Sequence, residues 1–238
     1  MKIFKFGGAS IKDAQGVKNV TTVLKKTGEK NLVVVISAMG KMTNALEEVV
    51  TAHLAKSDTL KDHLLTVETY HYDILKELFP NKEHAIYKAV SGLLDQLKGF
   101  LTSSKSKNHA FVYDQIVSYG ELISTTIVST YLSAENIKNT WLDVRGCIKT
   151  DDNYRDAKVD WEVTQKRIID KVHPTGITVT QGFLGAEHEN NFTTTLGREG
   201  SDYTAAIFAY CLNGESVTIW KDVPGELNAD PRYFSKTQ

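Results

Sequence analysis

Short apolar runs alternate along the chain with longer segments whose apolar residues fall at helical spacing. Residues 2–6 read as a first strand ending at Gly7-Gly8. A helix is predicted over 11–26, with Val17, Val20, Val23 and Leu24 on one face. Residues 32–36, Leu-Val-Val-Val-Ile, are apolar on both faces, as a central parallel strand requires. They run into Ser37-Ala38-Met39-Gly40, and a second helix is predicted from Thr43 or Asn44. From 52 to 101 the pattern is helical and rich in charge, broken at Pro80-Asn81 and followed by a polar loop over 103–108. Gly120-Glu121 is predicted to open a helix through Ile127 and Tyr131. Strands are predicted at 140–144, 177–183 and 217–220, the last of them buried, and helices at 163–172 and 203–212. Strand, small-residue loop and helix in repetition predict an α/β fold with a mostly parallel sheet. The helical stretch near 45–108 is read as an insertion between strands, not as a linker-separated domain.

Bulk properties narrow the function. A chain of 238 residues suits one large domain or one domain with an inserted lobe. Its formal net charge of −1 gives no basic stripe for nucleic acid. No apolar run reaches bilayer-spanning length, and the N-terminus enters a strand without the apolar core of a signal peptide. A cytoplasmic protein is expected, with no membrane or nucleic-acid partner. Cys147 and Cys211 are far apart and lack ligand spacing, so they read as reduced thiols in or near the core. His53, His63 and His71 read as solvated helix positions, and no metal site is expected.

Ligands of open α/β sheets bind at the carboxyl ends of the strands, and four loops occupy that position here. The first is Lys5-Phe6-Gly7-Gly8-Ala9-Ser10. Its glycines would let backbone N–H groups converge on an anion beside the Lys5 charge, although a plain tight turn explains them equally well. It is neither a Walker A loop nor a GxGxxG fingerprint. A second loop follows residues 32–36. Beyond the strand at 177–181 lies a third run, Thr193 to Asp202, dense in hydroxyls and glycine around Arg198. Ser201 or Asp202 would serve there as a helix N-cap, and Arg198 is either a surface residue or a bidentate clamp for a carboxylate or phosphate. The fourth runs from Trp220 through Lys221, Asp222, Pro224 and Gly225 to Asp230-Pro231-Arg232, a pair of turns.

Taken together, these segments resemble the aspartate kinases of the amino-acid-kinase superfamily. Residues 5–10 are similar to the KFGG[TS]S opening of that family, and Ser37 to Asn44 to its second small-residue loop. Gly120-Glu121-Leu122-Ile123-Ser124 matches G-E-x-x-S, Leu196 to Tyr203 resembles LGRGGSDY, and Trp220 to Arg232 resembles W-x-D-V-P-G…DPR; Thr150-Asp151-Asp152 and Gln181-Gly182-Phe183 also fit. The resemblance is collinear over the whole chain. It implies a three-layer α/β sandwich and transfer of the γ-phosphoryl of ATP, with Mg²⁺, to the β-carboxylate of L-aspartate, the step leading towards lysine, threonine and methionine.

By the same resemblance, Lys5 would contact the phosphoryl group and Asp202 would hold that lysine. Gly7 and Gly8 would face the phosphates. Thr43, Glu121, Arg198 and Ser201 would line the aspartate pocket, and Lys221, Asp222, Gly225, Asp230 and Arg232 the ATP side. On their own, Glu121 reads as a first-turn helix carboxylate and Thr43 as an N-cap. Three departures from the family pattern stand out: Glu199 for a usual glycine, Lys221 for a small hydroxyl residue, and Ala9 for threonine. Family members carry C-terminal ACT regulatory domains and form oligomers through them. The resemblance therefore implies that residues 1–238 are a catalytic domain truncated at its C-terminal side, expected to be weakly active or inactive alone. The alternatives are another superfamily member, acting on acylglutamate, glutamate, carbamate or a nucleotide, and a non-catalytic ligand-binding fragment.

Overall fold

A computed structural model describes residues 1–28 and 30–221. Five strands, β1 (Lys2–Phe6), β2 (Asn31–Ile36), β3 (Asn139–Leu142), β5 (Gly176–Gln181) and β8 (Ser216–Trp220), form a parallel sheet in the order β3-β5-β2-β1-β8. A smaller sheet, in the order β4-β6-β7, joins β4 (Lys149–Thr150), β6 (Leu184–Glu187) and β7 (Thr193–Thr195), with β6 and β7 antiparallel. The strand readings of 2–6 and 32–36 hold, those of 140–144 and 177–183 hold but end earlier, at Leu142 and Gln181, and the mostly parallel α/β class holds too.

Alternation along the central strands divides the interior into two layers, because successive side chains point to opposite faces. Phe4, Phe6, Leu32, Val34 and Ile36 face one core, which is closed by α1 (Ala14–Thr27), α2 (Met42–Ala55), α3 (Leu60–Leu78), α4 (Ala85–Ser103) and α5 (His109–Ala134). Ile3, Val33 and Val35 face the other, closed by α6 (Trp161–Lys171), α7 (Gly200–Cys211) and residues around Ile148. The helices of the 45–108 stretch thus share one apolar cluster with the sheet. Cys147 and Cys211 are both free and buried.

Several local expectations are corrected. The predicted helix over 11–26 is split: a 3₁₀ turn covers Gly8–Ile11, and α1 starts after Asp13, whose side chain accepts from Gly16 N at 2.8 Å. Helix α5 does not open at Gly120 but at His109, behind an Asn108 cap that accepts from the amides of Ala110 and Phe111. Gly120 is there for packing, since a Cβ would come within 2.9 Å of the Ala38 side chain. Residues 184–195, for which the sequence pattern predicts no strand, hold β6 and β7. Strand β8 is not buried; among the described residues it is the last strand of the sheet, with Val217 and Ile219 about 40% exposed. His71 is fully buried, its Nδ1 2.8 Å from Val67 O, and burial pushes its pKa down to about 4.

Candidate active site

Strand register brings the ends of four strands to one edge. Lys5 pairs with Val35 and Ile219, Phe6 with Ile36 and Trp220, and Ile36 with Gln181, so their following loops start level with one another. Lys5 is 7% exposed, and a buried ammonium needs a partner. It has one in Asp202, whose Oδ1 lies 2.6 Å from Lys5 Nζ. Asp202 sits in the first turn of α7, where the helix dipole favours a carboxylate. Immediately after β1, the backbone of Gly8 packs against the second loop. A Cβ on Gly8 would meet Ala38 O at 2.6 Å, and Gly40 N donates to Gly8 O at 3.0 Å. Only glycine fits that approach. A Cβ on Gly7 would lie 3.5 Å from Lys5 Nζ, in ordinary contact.

Glu121 reaches the same edge from the middle of α5, not from a helix start, so the dipole explanation of this carboxylate falls. Its Oε1 accepts from Ala38 N at 3.1 Å. Its Oε2 is buried without a hydrogen-bond partner among the described residues. Burial raises its pKa to about 8, and the Ala38 bond opposes that rise. One turn on, Ser124 Oγ donates to Ser37 O at 2.7 Å, fixing α5 against the loop after β2.

The third loop turns sharply before α7. Gly197 has φ 77 and Glu199, at the N-cap position, has φ 57. Ser201 and Asp202 are therefore first-turn residues and not caps. Ser201 packs so closely on Gly182 that a Cβ there would lie 2.8 Å from Ser201 Cα. Phe183 N donates to Thr204 Oγ1 at 2.9 Å. Thr43 is likewise inside the first turn of α2, with Lys41 at the N-cap position.

These elements enclose a cavity of about 400 Å³, whose walls include Lys5, Thr43, Glu121, Arg198, Ser201 and Asp202. Six of the residues singled out from sequence are thereby brought together. Lys221 is not among them; it borders a separate depression with Ser10, Lys12 and Asp13. Asp222, Gly225, Asp230 and Arg232 lie outside the described residues. Glu199 is exposed at the cavity wall and makes no ion pair among the described residues.

Sequence reading missed three contributors. Tyr113 and Arg155 line the cavity, and Asp114 supports it from behind. Asp114 is fully buried and accepts from Arg155 N at 3.0 Å, Thr195 N at 2.9 Å and Thr195 Oγ1 at 2.8 Å. Burial outweighs those bonds and lifts its pKa to about 6. Asp114 sits mid-run in a helical pattern and Arg155 in a polar loop, so neither carries a local signal.

The charges leave the cavity positive. Lys5 and Asp202 compensate each other, and Glu121 is largely protonated at neutral pH. Among the lining residues Arg155 and Arg198 then face only Glu199, while Glu47, outside the lining, lies 3.8 Å from Arg155. An anion suits such a site, beside a Glu121 Oε2 that has no partner among the described residues.

The model of the amino acid kinase family matches residues 1–238. Lysine-sensitive aspartokinase 3 of Escherichia coli is 32% identical over 238 residues, spanning 98% of this chain and 51% of that protein. Chloroplastic aspartokinase 1 of Arabidopsis thaliana is 31% identical over 243 residues, spanning 98% of this chain and 42% of that protein. The chain thus spans about half or less of the length of these relatives. The crystal structure of E. coli aspartokinase III in complex with aspartate and ADP superposes with a TM-score of 0.89 at 30% identity, covering 100% of this chain and 53% of that one. Clostridium acetobutylicum aspartate kinase, at 24% identity, shares the fold with a TM-score of 0.79.

Proposed function

The chain belongs to the amino acid kinase family, and from that premise we propose that it transfers the γ-phosphoryl of ATP to the β-carboxylate of L-aspartate, giving 4-phospho-L-aspartate. The observation that carries this reading is the single cavity in which Lys5, Arg198 and the half-satisfied Glu121 meet. The likeness to aspartokinase III, whose structure holds aspartate and ADP, supports it.

Phosphoryl transfer asks little covalent chemistry of a protein. It asks for in-line placement and for cancellation of the charge that two anions bring together. Lys5, fixed by Asp202, supplies one charge where the phosphoryl oxygens would lie. Amides around Gly7 and Gly8 supply donors beside it. Arg198 would take a carboxylate of aspartate, and Glu121 would give up its proton and take the ammonium. Thr43 and Ser201 would add hydroxyl donors. The attacking carboxylate is already ionised at neutral pH, so no general base is needed, and Asp202 acts as the orienting partner of Lys5.

Mg²⁺ would arrive with the triphosphate as part of the substrate, held mainly by phosphate oxygens and water. Lys221, with Asp222, Gly225, Asp230 and Arg232, is assigned to the ATP side. This reading takes the chain as the catalytic domain of a cytoplasmic, homo-oligomeric enzyme. Among the described residues, no helix is long and apolar enough to cross a membrane.

The test is a hydroxylamine trap for acyl phosphate, run with MgATP and a panel of acids. Hydroxamate from L-aspartate above glutamate, acetylglutamate and carbamate supports the reading. Preference for any of those others replaces it with that superfamily member, and ATP binding without turnover replaces it with a ligand-binding role.

A further inference from the structure

Arg155 lines the same cavity as Arg198 but comes from the loop after β4, and its backbone is left-handed, with φ 72. Long side chains rarely adopt that conformation. Here the surroundings hold it. Arg155 N donates to the buried carboxylate of Asp114, Asp156 N to Asn153 O at 3.2 Å, and Ala157 N to Thr195 O at 3.0 Å. Asn153 Nδ2 closes the turn on Asp156 O at 3.0 Å. Glycine would satisfy the same loop without strain, so an arginine at this point needs a reason beyond the loop itself.

Its side chain supplies one. The guanidinium lies over the ring of Tyr113, 4.2 Å from the centroid. That contact positions the group without using any of its N–H donors. Its nearest carboxylate is Glu47, at 3.8 Å, too far for a hydrogen bond, and both side chains are close to half exposed. No acceptor for the fork is present among the described residues. The cavity wall therefore presents a braced guanidinium with open donors, in addition to Arg198. The proposed substrate carries two carboxylates, of which only one reacts.

Resting on that substrate reading, we infer that Arg155 is a specificity-determining residue that, alongside Arg198, holds the α-carboxylate of the amino-acid substrate, drawn away from Glu47 as the substrate enters. It thereby selects an acceptor with a free α-carboxylate over one in which that group is blocked.

The experiment compares wild type, Arg155→Gly and Arg155→Lys. It reads calorimetric binding of L-aspartate and of its α-amide, steady-state constants, and thermal midpoint. Loss of a charge-assisted fork predicts aspartate binding weaker by about ten- to a hundred-fold in Arg155→Gly. KM for aspartate rises to match, while kcat and KM for MgATP stay near wild type. The glycine variant melts at or above the wild-type temperature because φ 72 suits it. Arg155→Lys keeps the strained backbone and restores binding only in part. The α-amide binds wild type and Arg155→Gly alike. Wild-type aspartate affinity in Arg155→Gly overturns the inference, and so does an equal loss for aspartate and the α-amide, which marks a structural effect. If wild type binds no aspartate at all, the substrate reading falls and this inference falls with it.

Discussion

Lys5 Nζ and Asp202 Oδ1 lie 2.6 Å apart, tying the end of β1 to the first turn of α7 across the floor of the cavity. Lys5 is nearly buried, while the Asp202 side chain keeps 24% of its surface in contact with solvent. That asymmetry decides what a substitution does. Stranding a fully buried carboxylate destabilises a protein severely, but Asp202 can rehydrate. Lys5→Met should therefore fold with a modest fall in melting temperature. Its kcat should drop by about 10²–10³-fold, the usual effect of removing one preorganised charge stabiliser. Steady-state kinetics with a raised KM for aspartate and an intact kcat would remove Lys5 from the phosphoryl site.

Arg198→Ala should act on binding instead. A charge-assisted bidentate contact contributes about 1.5–3 kcal/mol, or roughly ten- to a hundred-fold in affinity. Arg198→Lys should recover only part of this, because an ammonium cannot reproduce the fork. An alanine variant with wild-type kcat/KM for aspartate would show that Arg198 is not the clamp.

How far the sequence carries is visible in these same residues. Lys5 and Asp202 are far apart in the chain, yet each sits at a strand or helix terminus that hydrophobic periodicity locates. Gly120 misled because a glycine mid-helix looks like a boundary; the reason for it, the Ala38 side chain, belongs to another element. Strand β7 escaped because Thr193 to Thr195 are polar and their burial is decided by other elements: Thr195 Oγ1 donates to Asp114 of α5, Thr194 Oγ1 meets Thr150 Oγ1 of β4, and Arg145 donates to Thr193 Oγ1. The identity of Arg155 as a cavity residue depends on a φ value and on Asp114, neither of which the linear pattern encodes. Local chemistry was legible where one element supplies it, and hidden where a second element decides the environment.

On the proposed function, Glu121 should give aspartate binding a pH dependence with a definite sign. Burial raises its pKa to about 8, so the free protein holds it neutral near pH 7. Capturing an ammonium requires the carboxylate, so binding releases a proton. Aspartate affinity should therefore rise as pH increases from about 6.5 towards 8, with proton release measurable by titration in buffers of different ionisation enthalpy. Glu121→Gln should bind more weakly and lose the slope. A flat wild-type profile over that range would contradict this role.

The same carboxyls set a stability slope in the opposite direction. The folded protein retains protons on Asp114 up to about 6 and on Glu121 up to about 8, above their ordinary values of 3.8 and 4.5. In that window the native state binds more protons than the unfolded chain, so stability falls as pH rises. The contribution is complete below the unfolded values and lost above about pH 8. Thermal midpoints of the ligand-free protein should decline from pH 5 to 8, less steeply below about pH 6.5, where buried His71, its pKa pushed down to about 4, contributes an opposing rise. Glu121→Gln should flatten the upper part of that decline, between pH 6 and 8, and leave the Asp114 part in place.

Glu199 combines a backbone and a charge liability, and two variants separate them. Its φ of 57 places a non-glycine residue in the left-handed region at the N-cap of α7. Glu199→Gly relieves that conformation, against the extra freedom glycine gains when unfolded, and should stabilise the protein by about 0.5–1 kcal/mol. Glu199→Ala keeps the strained φ and should leave stability within about 0.5 kcal/mol of wild type. Both remove a negative charge from the wall of a cavity proposed to take an anion. At several ångströms through partly solvated surroundings, that charge is worth on the order of 0.5–1 kcal/mol, so both variants should bind aspartate about two- to five-fold more tightly. The gain should shrink as salt is raised from about 0.01 to 0.15 M, since the group is exposed. Equal stability of the glycine and alanine variants would show that the backbone relaxes away from φ 57. An aspartate affinity unchanged in both would show that the Glu199 carboxylate points its field away from the substrate.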